Sequence, residues 1–230
     1  MKNLLHQLFA LVTFILFTTS ISKAQIYVGG LDQYMDYANI SRNSAGPNNK
    51  YSDMAGTPFL NDDFETGKVK LRNGKTYEGP LRYDIYSDQI EFQTTDGNVY
   101  EIRNPETVEK ITIGDQNFLC FFKEEGRKLE GIYEELVNGD LTLLAKHRVY
   151  LKDAVPAKPY IEARPATFIK KKSEYIIVDT EGDVIPVKNK KDVLGLEGGS
   201  GDIKAYIKKN KIQVSNEKDL VALIAYLNEN

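Results

Sequence analysis

From residue 66 onward the chain alternates apolar and polar residues in short runs parted by glycine-centred turns, a pattern that commits it to antiparallel sheet. Val69 and Leu71 alternate with Lys68, Lys70 and Arg72, and Asn73-Gly74 follows. An Asn-Gly pair between alternating runs is the strongest short hairpin signal, because both residues tolerate the left-handed backbone that a two-residue turn needs. Residues 75–87 read as a longer strand bent near Gly79-Pro80, since proline has no N–H for a central ladder. Residues 89–94 and 99–103, joined through Asp96-Gly97, form a further hairpin, and 109–114 and 118–123 two more strands.

The last thirty residues change period. Ile203, Tyr206 and Ile207 fall on one helical face, with Asp202 before them and Lys208 and Lys209 after, as the helix dipole favours. Ser215 or Asn216 can cap a final helix with a stripe of Leu220, Leu223, Ile224 and Leu227. Short amphipathic helices do not persist alone in water, so both must dock on the sheet. The expected fold is mainly β with C-terminal α: antiparallel sheets, or two barrel-like halves, carrying two short helices. Phe118, Cys120 and Phe122 are expected in the core.

Two local matches suggest a duplication. Gly74–Gly79 resembles Gly126–Gly131 at an offset of 52, and the turn Thr95–Val99 resembles Thr180–Val184 at an offset of 85. The difference, 85 − 52 = 33 residues, largely coincides with a loop at 154–165 holding Pro156, Pro159 and Pro165. Gly-centred hairpin turns resemble one another in any sheet, so duplication stays one of two readings.

Residues 1–24 read as a signal peptide: Lys2, a ten-residue apolar core from Leu8 to Phe17, then Ser22-Lys23-Ala24, with Gln25 as the new N-terminus. That core is too short to span a bilayer, and no run of about 18 apolar residues follows it. Removal leaves 206 of the 230 residues, enough for a sizeable core. The expected organisation is signal 1–24, irregular leader 25–60, a first β unit 61–123, a second β unit 124–189 and a helical segment 190–230. Export places the chain in the periplasm, the outer envelope or the medium.

Two resemblances follow. Residues 68–113 are similar to SH3-like and Sm-like small barrels: a strand, an Asn-Gly turn, a strand bent at Gly79, a turn with Asp84 and Asp88, and two further strands. This implies fold and no function. The C-terminal part resembles uncharacterised exported proteins of Bacteroidota, through Tyr175–Val178 before the Glu181-Gly182 turn, Val193-Leu194, Ile203–Lys209 and Glu217–Asn228. It implies an envelope protein and transfers no site.

The chemistry is bounded by scarcity. One cysteine excludes an internal disulfide, and one histidine outside the signal, His147, excludes a multi-histidine metal site. His147 shares the parity of Leu143, Ala145 and Val149, so it reads as a packed strand histidine, with general-base chemistry as the alternative. Asp179–Asp183 looks like half a calcium loop but equally like a hairpin turn. Gly195–Gly201 precedes a helix without the Lys-Ser/Thr that ends a phosphate loop. The pairs Glu124-Glu125 and Glu134-Glu135 could supply carboxylate chemistry, though nothing sets two acids face to face. No cofactor, metal ligand or catalytic residue is assigned.

Charge is uneven. Residues 61–145 hold 10 basic and 18 acidic groups, net −8, whereas 146–211 hold 15 and 9, net +6. Without Lys2 and Lys23 the chain carries 28 basic and 33 acidic groups, net −5, which with export disfavours nucleic acid. The expected function is non-catalytic binding or assembly in the bacterial envelope. An envelope protein or acidic surface component is the expected partner, and Lys170, Lys171 and Lys172 the candidate contacts. The alternative is an envelope hydrolase using carboxylate acid/base chemistry.

Overall fold

The computed structural model describes residues 28–38, 50–121, 128–196 and 203–229. The segment expected to be a signal, Phe122, Glu124, Glu125 and all of the glycine-rich stretch after Leu196 lie outside them. The alternating runs form one sheet of eleven strands: β1 Val28–Gly30, β2 Glu65–Leu71, β3 Thr76–Asp84, β4 Gln89–Gln93, β5 Val99–Glu101, β6 Val108–Ile113, β7 Gln116–Phe121, β8 Gly131–Val137, β9 Thr142–Lys152, β10 Thr167–Val178 and β11 Val184–Val187. Its order is β11-β10-β9-β8-β7-β6-β2-β3-β4-β5, with β1 alongside β3. All pairings are antiparallel except β1 with β3. The four α-helices among the described residues are α1 Leu31–Tyr37, α2 Lys190–Leu194, α3 Ile203–Asn210 and α4 Glu217–Glu229.

The mainly β fold with C-terminal helices is therefore what the alternation and the late change of period imply. β2 to β5 run as a meander, a 3₁₀ turn at Pro105–Thr107 follows, and β6 returns to pair with β2. The sheet then continues through β7 into β8. The two resembling turns share one geometry, with Gly97 and Gly182 both at φ 82°. Yet β4 lies next to β3, whereas β9 separates β10 from β8. The stretch between the two matches thus holds two strands in the first unit and three in the second, so the strand order does not repeat.

Two main cores cover the sheet. One gathers Leu31, Tyr34 and Met35 of α1 with Val69, Tyr77, Leu81, Phe92, Ile111 and Phe118. The other packs Leu143, Ala145, Tyr175 and Ile177 under α2, α3 and α4. Leu220, Leu223, Ile224 and Leu227 are all buried, as are Phe118 and Cys120. Asn216 Oδ1 accepts from Asp219 N at 3.2 Å and so caps α4. At the other end Asn228 imitates a strand partner: its amide donates to Leu141 O at 2.9 Å and its carbonyl accepts from Leu141 N at 2.8 Å.

Two expectations are corrected. The leader 25–60 is not irregular where it is described at its start: Val28–Gly30 is a strand and Leu31–Tyr37 a helix. The reason is packing. Leu31, Tyr34 and Met35 fall at i, i+3 and i+4, and Gly79 leaves room for Leu31, whose Cδ1 would lie 2.7 Å from a β-carbon there. Tyr34 meets Tyr77 and Phe92 edge-on and donates to Arg103 O at 2.6 Å. The C-terminal segment also has a third helix, α2, one turn long and closed by a capping box between Asn189 and Asp192.

Leu223 has no exposed surface, so Leu223→Ala should leave a cavity under α4 and cost about 2–5 kcal/mol. Urea denaturation should show a lower midpoint at unchanged slope.

Candidate functional site

β9 and β10 are far longer than their neighbours, and pairing explains where they separate from the sheet. β8 accompanies β9 only as far as Ala145. Beyond it β9 and β10 run on as a two-stranded arm, from Arg148 opposite Lys171 to Lys152 opposite Thr167. The arm continues through a looser ladder, Val155 with Arg164 and Lys158 with Ile161, to a turn at Pro159-Tyr160. Residues 156–165 are all exposed, and so is Ala154. Tyr160 protrudes fully and Ile161 is 49% exposed. Tyr160 has φ 66°, with proline before it and Ile161 N donating to Lys158 O at 2.9 Å, the pattern of a type II turn. Glycine favours that position, and an L side chain there costs about 1–2 kcal/mol.

The root of the arm is held by three polar or aromatic clusters. In the first, the buried Lys146 ammonium donates to Asp88 Oδ1 at 2.8 Å, Asp88 Oδ2 at 2.7 Å and Ile132 O at 2.9 Å, which uses its three protons. Tyr83 OH donates to Asp88 Oδ1 at 2.7 Å, and the Tyr133 ring lies 4.8 Å from the ammonium. Gly131, at φ 96°, lets the carboxylate and ammonium approach: a β-carbon there would stand 2.1 Å from Asp88 Oδ2. Burial pushes the Lys146 pKa down, against the pull of Asp88.

The second cluster contains His147. Its Nε2 lies 2.6 Å from Glu134 Oε2 and its Nδ1 3.1 Å from Ser173 Oγ. With a neutral imidazole, Nε2–H donates to Glu134 and Nδ1 accepts from the Ser173 O–H; a charged ring donates from both nitrogens. Gln116 Nε2 donates to the other Glu134 oxygen at 2.8 Å. Ser173 sits where β10 bulges between Lys171 and Glu174. It lines a cavity of about 400 Å³ with Tyr175, Val187, Val214 and Ser215. The histidine is thus packed and satisfied, in an order that also matches a serine nucleophile, its base and an orienting carboxylate.

The third cluster straps the arm to the first unit. Phe168 meets Tyr51 and Tyr86 edge-on, both at 5.1 Å, and Phe168 N donates to Ala55 O at 2.8 Å. Tyr51 OH donates to Asp84 at 2.8 Å, and Lys50 bridges Asp84 at 2.8 Å and Glu91 at 2.9 Å. Asp84 is fully buried, which raises its pKa, yet Lys50 and the Ser87 N–H outweigh burial and hold it below the usual carboxylate range. Two close acids occur here, Asp84 and Glu91, and the Lys50 ammonium bridges them.

Lys170 donates to Leu60 O at 2.9 Å, Lys171 lies 4.8 Å over the Tyr150 ring, and Lys172 borders the 400 Å³ cavity. Cys120 borders a separate cavity of about 360 Å³ beside Asp88, and burial pushes its thiol up to about 12. Asp179 Oδ1 accepts from Glu181 N at 3.0 Å and Asp183 N at 2.8 Å, so that segment is a self-satisfied turn. Glu135 pairs with Lys110. Among the described residues no three His, Cys, Asp or Glu side chains converge on a metal position, and no helix is long and apolar enough to cross a membrane. The chain matches no protein-family model, no curated protein and no solved structure.

The arm, the Lys146–Asp88 pair and the Ser173–His147–Glu134 chain escape sequence reading. Each needs the register of β8, β9 and β10, which brings together residues far apart in the chain. One signal was available: Lys146 follows Leu143-Leu144-Ala145, a run buried on both faces, where a lysine must find a partner.

Asp88→Asn should leave the Lys146 charge buried without its counterion. Because the Asp88 side chain is 34% exposed, a loss near the low end for buried pairs is expected, about 3 kcal/mol. Adding Lys146→Met should recover part of it in urea denaturation.

Proposed function

We propose that this protein is an exported, non-catalytic binding or assembly protein of the bacterial envelope, and that the β9–β10 arm is its recognition element. The observation that carries the reading is the arm itself. A stretch whose side chains are mostly Ala, Pro, Tyr and Ile stands exposed on a ribbon carrying Lys152, Lys170, Lys171 and Lys172. Exposed apolar surface of this kind marks an interaction site rather than a solvated loop.

Charge supports an acidic partner. In the negative half many carboxylates have a partner: Glu78 with Lys68, Glu109 with Lys70, Glu91 with Arg82, and Asp88 with Lys146. On the arm, by contrast, no described carboxylate lies within 4 Å of Lys152, Lys158, Arg164, Lys170, Lys171 or Lys172. Reversing Lys170, Lys171 and Lys172 to glutamate should weaken capture of envelope partners about tenfold or more, and added salt should act the same way. Lys204→Glu with Lys208→Glu, on α3, is the control for charge alone. Capture that survives both the triple reversal and high salt overturns the electrostatic route.

One observation favours a hydrolase as a second reading, and it is the Ser173–His147–Glu134 chain rather than a carboxylate pair. A fluorophosphonate probe discriminates between the two. Covalent labelling at Ser173, lost in His147→Gln, would replace the binding reading with an esterase-like one; an unlabelled protein removes that reading.

A further inference from the structure

Resting on the binding reading above, we propose that the β9–β10 arm docks lengthwise on an anionic lipid surface, with the tip at Pro159, Tyr160 and Ile161 entering the headgroup layer. The tip has the chemistry for it. Residues 154–166 comprise ten of Ala, Val, Pro, Tyr and Ile with Lys158, Glu162 and Arg164, and no Ser, Thr, Asn, Gln or Gly. A pocket in a protein partner would be met by placed polar side chains, whereas a lipid surface asks only for apolar atoms, an aromatic ring at headgroup depth and cations around them. The backbone is suited too. Prolines 156, 159 and 165 remove three N–H donors, and Val155, Lys158, Ile161 and Arg164 direct theirs into the arm's own ladder. Groups paired in this way need no water, and the N–H groups of Ala157, Tyr160, Glu162 and Ala163 are left to the hydrated headgroup layer. Tyr160 is the further sign: the turn favours glycine, yet the chain holds a fully exposed aromatic there.

The distribution of charge fixes the orientation. At roughly 3.3 Å per residue Lys171 stands about 35 Å along the ribbon from Tyr160, several Debye lengths at physiological salt. An upright arm would leave Lys152 and Lys171 screened. Laid down, it presents Tyr150, Lys152, Ile169 and Lys171, which the register places on one face, because Tyr150 opposes Ile169, Lys152 opposes Thr167 and Arg148 opposes Lys171. Lys170 lies on the opposite face, bonded to Leu60 O, so on the lipid-facing side Lys152 and Lys171 carry the charge.

The chain has no tryptophan, so Tyr160→Trp places a single indole at the tip of the processed protein. With vesicles of phosphatidylglycerol in phosphatidylcholine its emission should shift to the blue and be quenched by brominated acyl chains, and with phosphatidylcholine alone it should not change. Lys152→Glu with Lys171→Glu should weaken binding to the anionic vesicles about tenfold or more, whereas Lys204→Glu with Lys208→Glu, on α3, should not. A shift with neither vesicle overturns the proposal, and an equal shift with both overturns its anionic part. A shift that grows with protein concentration and needs no lipid also overturns it, in favour of a second copy as the occupant. Partner capture that persists in Tyr160→Ser with Ile161→Ser, while anionic vesicles bind no wild-type protein, rejects lipid docking and leaves the binding reading intact.

Discussion

The buried ammonium of Lys146 is the group on which the rest of the arrangement turns. β9 pairs with β8 through Ala145 and stops there, so Lys146 stands at the root of the arm. A ribbon leaving a sheet at an arbitrary point would swing about its root. Here the first residue past the sheet is bonded to Asp88 of the first unit and to the carbonyl of Ile132 on β8. One residue on, His147 ties β9 to Glu134 of β8 and to Ser173 of β10. Phe168 then clamps the other strand against Tyr51 and Tyr86. The direction of the arm is thus set by buried polar contacts and ring packing rather than by the two-strand ladder, which alone is only marginally stable.

The pair has a second consequence. Asp88 belongs to the turn between β3 and β4 and holds φ 55°, a conformation Asp tolerates through its short polar side chain. Its carboxylate collects Tyr83, Ile132 N and Lys146. The turn of one unit is therefore built around a charge carried by the other, and the two cores are joined by more than the shared ladder from β6 to β8. A lysine paired in this way supports geometry more than stability, since taking both charges out of water costs much of what their attraction returns.

Physical periodicity decides how much of this was legible in the sequence. Strands with one buried face announce themselves through period two, and α4 through Leu220, Leu223, Ile224 and Leu227, because each pattern is local. Leu31, Tyr34 and Met35 make a stripe of the same kind. It spans only two turns beside Gly29 and Gly30, so propensity argues against a helix that packing on Gly79 nevertheless forms. The partners of Lys146 and His147 are not local at all. Asp88 is 58 residues from Lys146, and only the register of three strands, with a bulge in β10, sets Ser173 against His147. Of the candidate contacts, the run Lys170–Lys172 was visible as charge, but its division between two faces of a ribbon was not.

The same lysines answer an objection to reading the arm as a recognition element. An open strand edge is a hazard in any soluble protein, and charged residues on it, lysine above all, are the common remedy against edge-to-edge pairing. Edge protection accounts for Lys170, Lys171 and Lys172, which stand on β10 between its bridge to Ala55 and its ladder with β11. It does not account for the tip. A hairpin kept only from aggregating would carry charge or glycine at its turn, and Tyr160 with Ile161 is the reverse: apolar, exposed and held in a costly backbone conformation. The protective charges and the apolar tip therefore work in opposite directions unless a partner meets both. A surface that attracts the cations and accepts the ring would remove the conflict, and because the clusters at the root of the arm already fix its direction, docking there would carry a smaller ordering cost.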